Sequence, residues 1–229
     1  MPRVCVFDVM GTMLNLSALD QEFERVFGDK GARQQWFQQM LQSAFVSLIT
    51  DRYSDFGAIG RAALQMTAER TGVRLSEEDT RAILQRVREL PPHPDVREGL
   101  ERLRTAGLRL AALTNSTPQV AEAQLQHAGL RDLFEQALSA DTVKRLKPAP
   151  EPYRHAAERL GVEIGQVRLI AAHAWDVAGA MRAGCAAAFV ARPGMVLDPL
   201  VERPDVIGKD LREVADQILA RERDDGRTA

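Results

Sequence analysis

Apolar and polar positions along the chain follow two rhythms. From Leu16 to about Leu90 the apolar residues recur at helical spacing. Successive sets are Leu19, Phe23, Val26 and Phe27; Trp36, Phe37, Met40, Leu41, Ala44, Phe45, Leu48 and Ile49; and Ile59, Ala62, Ala63 and Met66. Each is the signature of a helix with one buried face. A fourth set, Ile83, Leu84, Val87 and Leu90, follows Ser76-Glu77-Glu78-Asp79, a serine with acids behind it that predicts a helix start capped by Ser76. Pro91-Pro92-His93-Pro94 then breaks the pattern and reads as a return linker.

Outside this block, strand-length apolar runs take turns with helical stretches. Arg3 to Phe7 is β-branched and apolar, a strand buried on both faces. After the linker come helix Asp95 to Thr105, strand Leu108 to Leu113, helix Pro118 to Ala128 and strand Gln136 to Ser139. Helix Pro150 to Leu160, strand Val167 to Ala171, helix Val177 to Ala183 and strand Ala187 to Val190 follow, then a last helix from Leu211 to about Arg221. This alternation predicts an α/β fold, a doubly wound and mostly parallel sheet, interrupted after its first strand by the helical block. The expected division is a core of 1–14 and 92–222, an insertion of 15–91, and a polar tail of 223–229 that frays.

Composition narrows the function classes. The 229 residues are 45% hydrophobic and 27% charged, and 30 basic against 32 acidic residues leave a net charge of −2, so nothing marks an electrostatic nucleic-acid binder. No apolar run is long enough to span a bilayer. Cys5 and Cys185 lie in apolar contexts without pairing or metal-ligand spacing, as buried free thiols of a reducing, cytoplasmic setting. The first strand begins at once, which leaves no room for a signal peptide.

Candidate chemistry gathers where strands end. Asp8 closes the first strand and is followed by Gly11, which permits a sharp turn, and Thr12, which adds a hydroxyl beside the carboxylate. An Asx-turn with a turn glycine would read the same way. Thr114, Asn115 and Ser116 end another strand and, with the N–H groups of the next helix start, suit a carboxylate or phosphate; a cap by Ser116 or Thr117 on a helix opening at Pro118 is the plainer alternative. Lys147 precedes Pro148 in a loop, with Tyr153 one turn into a helix; a lone lysine is usually a solvated charge and a lone tyrosine usually packs. His173, Trp175 and Asp176 follow a fourth strand, where Asp176 alone would serve as a helix cap and His173 alone as a satisfied loop histidine.

In order, an acid with Gly-Thr after strand one, Thr-Asn after a second, Lys-Pro, and an Asp after a further strand resemble the four motifs of the haloacid dehalogenase superfamily. The resemblance covers nearly the whole chain and is nearest to the type II (S)-2-haloacid dehalogenases. It implies a Rossmann-like core with a helical cap, with Asp8 as nucleophile. Thr114 and Asn115 map onto the second motif, Lys147 onto the lysine, Tyr153 onto the tyrosine and Asp176 onto the last acid. A homodimer without metal or other cofactor, acting on a small haloacid, is implied as well.

Met10 decides between chemistries within that superfamily. Its phosphatases usually carry a second Asp two residues after the nucleophile, because an alkoxide needs a proton from a positioned acid, worth about 10²–10⁴-fold. Met10 offers none, and halide needs none. The expected reaction is therefore displacement of halide by Asp8 at C2 and hydrolysis of the resulting ester. Lys147 would keep Asp8 ionised, Asp176 with His173 would position or deprotonate water, and Thr12, Thr114 and Asn115 would bind the substrate carboxylate, with Tyr153 also assigned to substrate. Met10, Phe37 and Trp175 would add apolar wall. The alternative is a phosphatase with Mg²⁺ at Asp8 and Asp176. Four positions depart from the pattern: Phe37 stands where the cap usually offers an arginine to the halide, and Ala171, Ala172 and His173 replace two serines and an asparagine. Arg33 and Arg52 are the candidate substitutes for the arginine.

Overall fold

The structure, a computed structural model, describes residues 4–226. Six parallel strands form one sheet: β1 (Val4–Phe7), β2 (Arg109–Thr114), β3 (Gln136–Ser139), β4 (Val167–Ala171), β5 (Ala186–Val190) and β6 (Val206–Gly208). Their order is β3-β2-β1-β4-β5-β6. β1 is thus central, with β2 on one side and β4 on the other, and the crossovers run in opposite directions from it. That reversal opens a crevice at the carboxyl ends of the strands, the usual ligand edge of such sheets.

Strand pleating sends alternate residues into two cores. Cys5 and Phe7 join Leu110, Ile170, Ala188 and Val206 on one face, under α5 (Val96–Thr105) and α9 (Leu211–Gly226). Val4 and Val6 join Leu113, Leu169 and Phe189 on the other, under α7 (Pro150–Leu160) and α8 (Ala174–Ala183). Among the described residues both cysteines are buried and free, and burial pushes each thiol up to about 12. No described helix is long and apolar enough to cross a membrane.

The inserted block is four helices: α1 (Asp20–Phe27), α2 (Ala32–Ile49), α3 (Phe56–Thr71) and α4 (Glu77–Arg88). Ser76 caps α4, its side chain accepting from the Asp79 N–H. The block's entry and exit run side by side: Asn15 N–H donates to Pro91 O at 2.8 Å and His93 N–H to Met13 O at 2.9 Å. Beyond these linkers it meets the core through Tyr53 O–H donating to Asp141, Arg145 on Asp51 at 2.8 Å, and Gln124 Nε2 donating to Val87 O at 2.9 Å.

Apart from one-residue shifts at strand and helix ends, such as β2, which reaches Thr114, the structure differs from expectation at the sheet's edge, at α8 and at α9. β6 was not anticipated; it is a three-residue edge strand after Pro204-Asp205, too short to show a period. α8 starts at Ala174 and not Val177, so Asp176 lies inside its first turn and the cap position falls to His173. α9 continues to Gly226, so the segment expected to fray from 223 is helical that far. Arg3, assigned to the first strand, and 227–229 lie outside the described residues.

Candidate active site

β1 delivers Asp8 to the crevice, and the chain then folds back tightly. Met13 and Leu14 N–H groups both donate to Val9 O at 3.0 Å, and Gly11 N–H donates to Leu14 O at 3.0 Å. Gly11 takes φ +85°, and a Cβ there would lie 2.9 Å from the Cε1 and Nε2 atoms of His173. Glycine is therefore required twice, by the turn and by the imidazole beside it. Thr12, next in the loop, donates its hydroxyl to Asp8 Oδ2 at 2.6 Å and accepts from Ala172 N–H at 2.9 Å, tying β1 to the end of β4.

Lys147 spends all three ammonium hydrogens inside this crevice. Nζ reaches Asp8 Oδ1 at 2.8 Å, Asp176 Oδ2 at 2.6 Å and Leu113 O at 3.0 Å, with the side chain 1% exposed. Tyr153 O–H donates to the other Asp176 oxygen at 2.6 Å. Gly179 makes this packing possible, since a Cβ there would lie 2.8 Å from the Tyr153 hydroxyl and closer still to Pro148. Burial by itself would raise the Asp8 pKa, but the Lys147 charge and the hydrogen bonds from His173 and Lys147 win, and the carboxyl sits well below the usual range. Asp176 moves the other way: burial and the like charge of Asp8 raise it against the pull of Lys147.

His173 Nδ1 lies 3.1 Å from Asp8 Oδ2. An ionised carboxylate offers only lone pairs, so Nδ1 carries the hydrogen. Nε2 is buried without a partner, as is Nε1 of Trp175. The imidazole packs against Phe37 and Trp175, centroids 5.7 and 5.3 Å away. These three side chains, with Gly11, Arg33 and Arg192, line a cleft of about 580 Å³.

Several expected substrate contacts take other partners. The Asn115 side chain accepts from Lys147 N–H at 2.7 Å and donates to Lys147 O at 3.4 Å, holding the lysine's backbone. Thr114 Oγ1 accepts from Ser116 N–H at 3.2 Å. Tyr153 and the Thr12 hydroxyl face inward, on Asp176 and Asp8. Asp176 is fully buried, with one oxygen on Lys147 Nζ and the other on the Tyr153 hydroxyl. Of the two candidate substitutes for the arginine, Arg33 pairs with Asp20 at 2.5 Å and lies on the cleft wall, while Arg52 is exposed.

Sequence reasoning missed Arg192. Its guanidinium donates to Thr12 O from Nε and Nη2 at 3.1 and 3.0 Å and grips both Asp95 oxygens at 2.7 and 2.8 Å. Asp95 in turn accepts from Leu211 N–H at the start of α9, at 2.7 Å. An arginine two residues past a strand carries no local mark of such a role.

A buried acid–lysine–acid chain at the carboxyl edge of β1 and β4 defines a covalent hydrolase site, and residues 2–184 match the family model for haloacid dehalogenase-like hydrolases. The chain belongs to that family, among its type II (S)-2-haloacid dehalogenases. It is 32% identical over 194 residues to the (S)-2-haloacid dehalogenase of Xanthobacter autotrophicus, covering 84% of this chain and 76% of that one. It is 29% identical over 212 residues to the (S)-2-haloacid dehalogenase of Pseudomonas sp. (strain YL), covering 92% and 91%. A solved L-2-haloacid dehalogenase from Xanthobacter autotrophicus with chloropropionic acid covalently bound superposes with a TM-score of 0.89 at 27% identity, over 96% of this chain and 99% of that one.

Proposed function

We propose that this chain hydrolyses short 2-haloalkanoic acids to 2-hydroxy acids through an ester on Asp8. The observation that carries the reading is a buried carboxylate, held ionised by Lys147, whose neighbour two residues on is a methionine and not an acid. Such a site supplies a nucleophile but no proton for a basic leaving group. The Lys147 ammonium also fills the space between the Asp8 and Asp176 carboxylates, where a divalent cation would have to sit, so the donor set does not fit Mg²⁺.

In the first step an Asp8 oxygen bonds to C2 as the carbon–halogen bond breaks, with inversion at carbon. In the second, water attacks Cγ of the ester while the Nδ1–H of His173 donates to the carboxyl oxygen on which charge develops. The bond from Cγ to the alkyl oxygen then breaks, the departing oxygen taking one proton of the attacking water and solvent the other as Asp8 returns to carboxylate. Lys147 and Thr12 hold the carboxylate in register, while Asp176, Tyr153 and Asn115 fix Lys147. Backbone N–H groups opening α6 (Pro118–His127), which has no side-chain cap, receive the substrate carboxylate. Phe37, Trp175 and His173 form the wall that the halide departs along. Residues 15–91 act as the cap that excludes bulk water.

The direct test is halide release from 2-chloropropionate in the presence of EDTA. Metal-dependent turnover of p-nitrophenyl phosphate, with no halide released, would overturn the reading.

A further inference from the structure

Among the described residues, two of the three side-chain hydrogen bonds that join cap to core end on one segment of the core, 140–147. Tyr53 donates its hydroxyl to Asp141, and Arg145 donates to Asp51 at 2.8 Å. Lys144 ties the first pair together: its Nζ lies 2.9 Å from Asp141 Oδ1 and 5.1 Å from the centre of the Tyr53 ring. Burial and the Asp141 carboxylate push the Tyr53 hydroxyl above its usual pKa, which keeps it a donor.

Backbone conformation marks the same junction. α1, α3, α7 and α8 are each followed by a glycine in the left-handed region, the residue that region favours. Asp51, two residues past α2, and Lys144, after the turn Ala140–Val143, take φ +54° and +50°, the only described non-glycine residues with positive φ. Side chains are kept there at a conformational cost, and both are used across the junction, Asp51 on Arg145 and Lys144 on the Tyr53 ring. From there the segment passes through Leu146, fully buried, to Lys147. Its core side is fastened to the residues that follow β2: Ser139 Oγ donates to Ser116 O at 2.5 Å, and Asn115 accepts from the Lys147 N–H at 2.7 Å.

Resting on the dehalogenase reading, we infer that Tyr53 and Asp141 are positioning residues for halide displacement: they brace segment 140–147 against the cap and so keep the Lys147 ammonium in register with Asp8. Neither lines the cavities on the two sides of the nucleophile loop, so their effect falls on the rate of displacement and not on substrate affinity.

The experiment follows bromide release from 2-bromopropionate in single turnovers at rising excess of enzyme. This separates limiting rate from affinity and makes the limiting rate independent of the fraction folded. The proteins are the wild type, Tyr53→Phe, Asp141→Ala, the double variant, and Gln124→Met, which loses the third cap-to-core bond without touching segment 140–147. The limiting rate should fall roughly tenfold in each of Tyr53→Phe and Asp141→Ala, with affinity within about twofold, since a misplacement of about 1 Å costs up to about 10²-fold. The double variant should be no slower than either single one, as one shared contact requires, and Gln124→Met should stay near the wild type. Unchanged limiting rates in both single variants, losses that multiply in the double, a loss carried by affinity, or an equal loss in Gln124→Met would each overturn the inference and leave the dehalogenase reading intact. Failure of the wild type to release bromide instead overturns the dehalogenase reading, and this inference falls with it.

Discussion

The phenyl ring of Phe37 and the imidazole of His173 pack 5.7 Å apart at an interplanar angle of 37°. These are the two positions at which the sequence departs from the expected arginine and asparagine, and they touch. A guanidinium at 37 would bring a full positive charge against an imidazole whose Nδ1 already donates to Asp8. A phenyl ring brings none and packs on the imidazole at a tilt, a contact worth about 0.5–1.5 kcal/mol. The two departures therefore meet in one contact beside Asp8.

His173→Asn removes the imidazole Nδ1–H that donates to Asp8 while leaving room for an amide against Gly11. Halide should still be released once per site, but ester hydrolysis should slow by about 10²–10³-fold, the cost of one lost donor to the developing oxyanion. Intact-protein mass spectrometry on the variant mixed with 2-chloropropionate should show the acyl adduct accumulating on Asp8. Unchanged steady-state turnover would contradict the assignment.

Lys147 is the cation between two buried carboxylates. Lys147→Met should abolish measurable turnover and destabilise the fold by about 3–5 kcal/mol, the range for an orphaned buried partner. Lys147→Met with Asp176→Asn should recover part of the stability and none of the activity. Urea denaturation of the three proteins, alongside a halide-release assay, measures both.

Most of the sheet was legible because β1 to β5 are runs of small and β-branched residues bounded by helices of ordinary length. β6 was not, since three residues cannot display alternation. The start of α8 was misplaced because Ala174-Trp175-Asp176 looks like the tail of a loop motif, although its backbone is already helical. At the site, the residue types at strand ends were readable while their partners were not. Asn115 reads as a ligand for substrate until its amide is seen on a backbone 32 residues away, and Arg192 grips a carbonyl 180 residues away. Hydrogen bonds across such separations leave no local pattern.

Arg192 orients the Thr12 carbonyl and, through it, the hydroxyl on Asp8. Arg192→Lys keeps the charge but loses the two-pronged grip on Thr12 O, so kcat should fall about tenfold with KM little changed. Arg192→Met, which also strands Asp95, should lose stability as well. A rise in KM with kcat untouched would instead place Arg192 on the substrate.

Burial, aided by the neighbouring Arg192 charge and opposed by Asp95, pushes His93 down from 6.5 to about 4. The unfolded chain therefore takes up a proton that the folded one resists. This contribution to stability is complete above pH 6.5 and is lost as the pH falls toward 4. Thermal melts across that interval should show a decline that His93→Asn flattens. Asp95, whose pKa is lowered mainly by Arg192 against its burial, loses its own contribution only at more acid pH, so the two are separable.

The most direct measurement is a single turnover of excess enzyme on 2-chloropropionate in ¹⁸O-labelled water, followed by peptide mass analysis. Ester formation on Asp8 predicts that the label enters the carboxylate of Asp8 and that the released 2-hydroxypropionate carries none. Label in the product, with Asp8 unlabelled, would mean that water attacks the substrate carbon itself and that the covalent account is wrong.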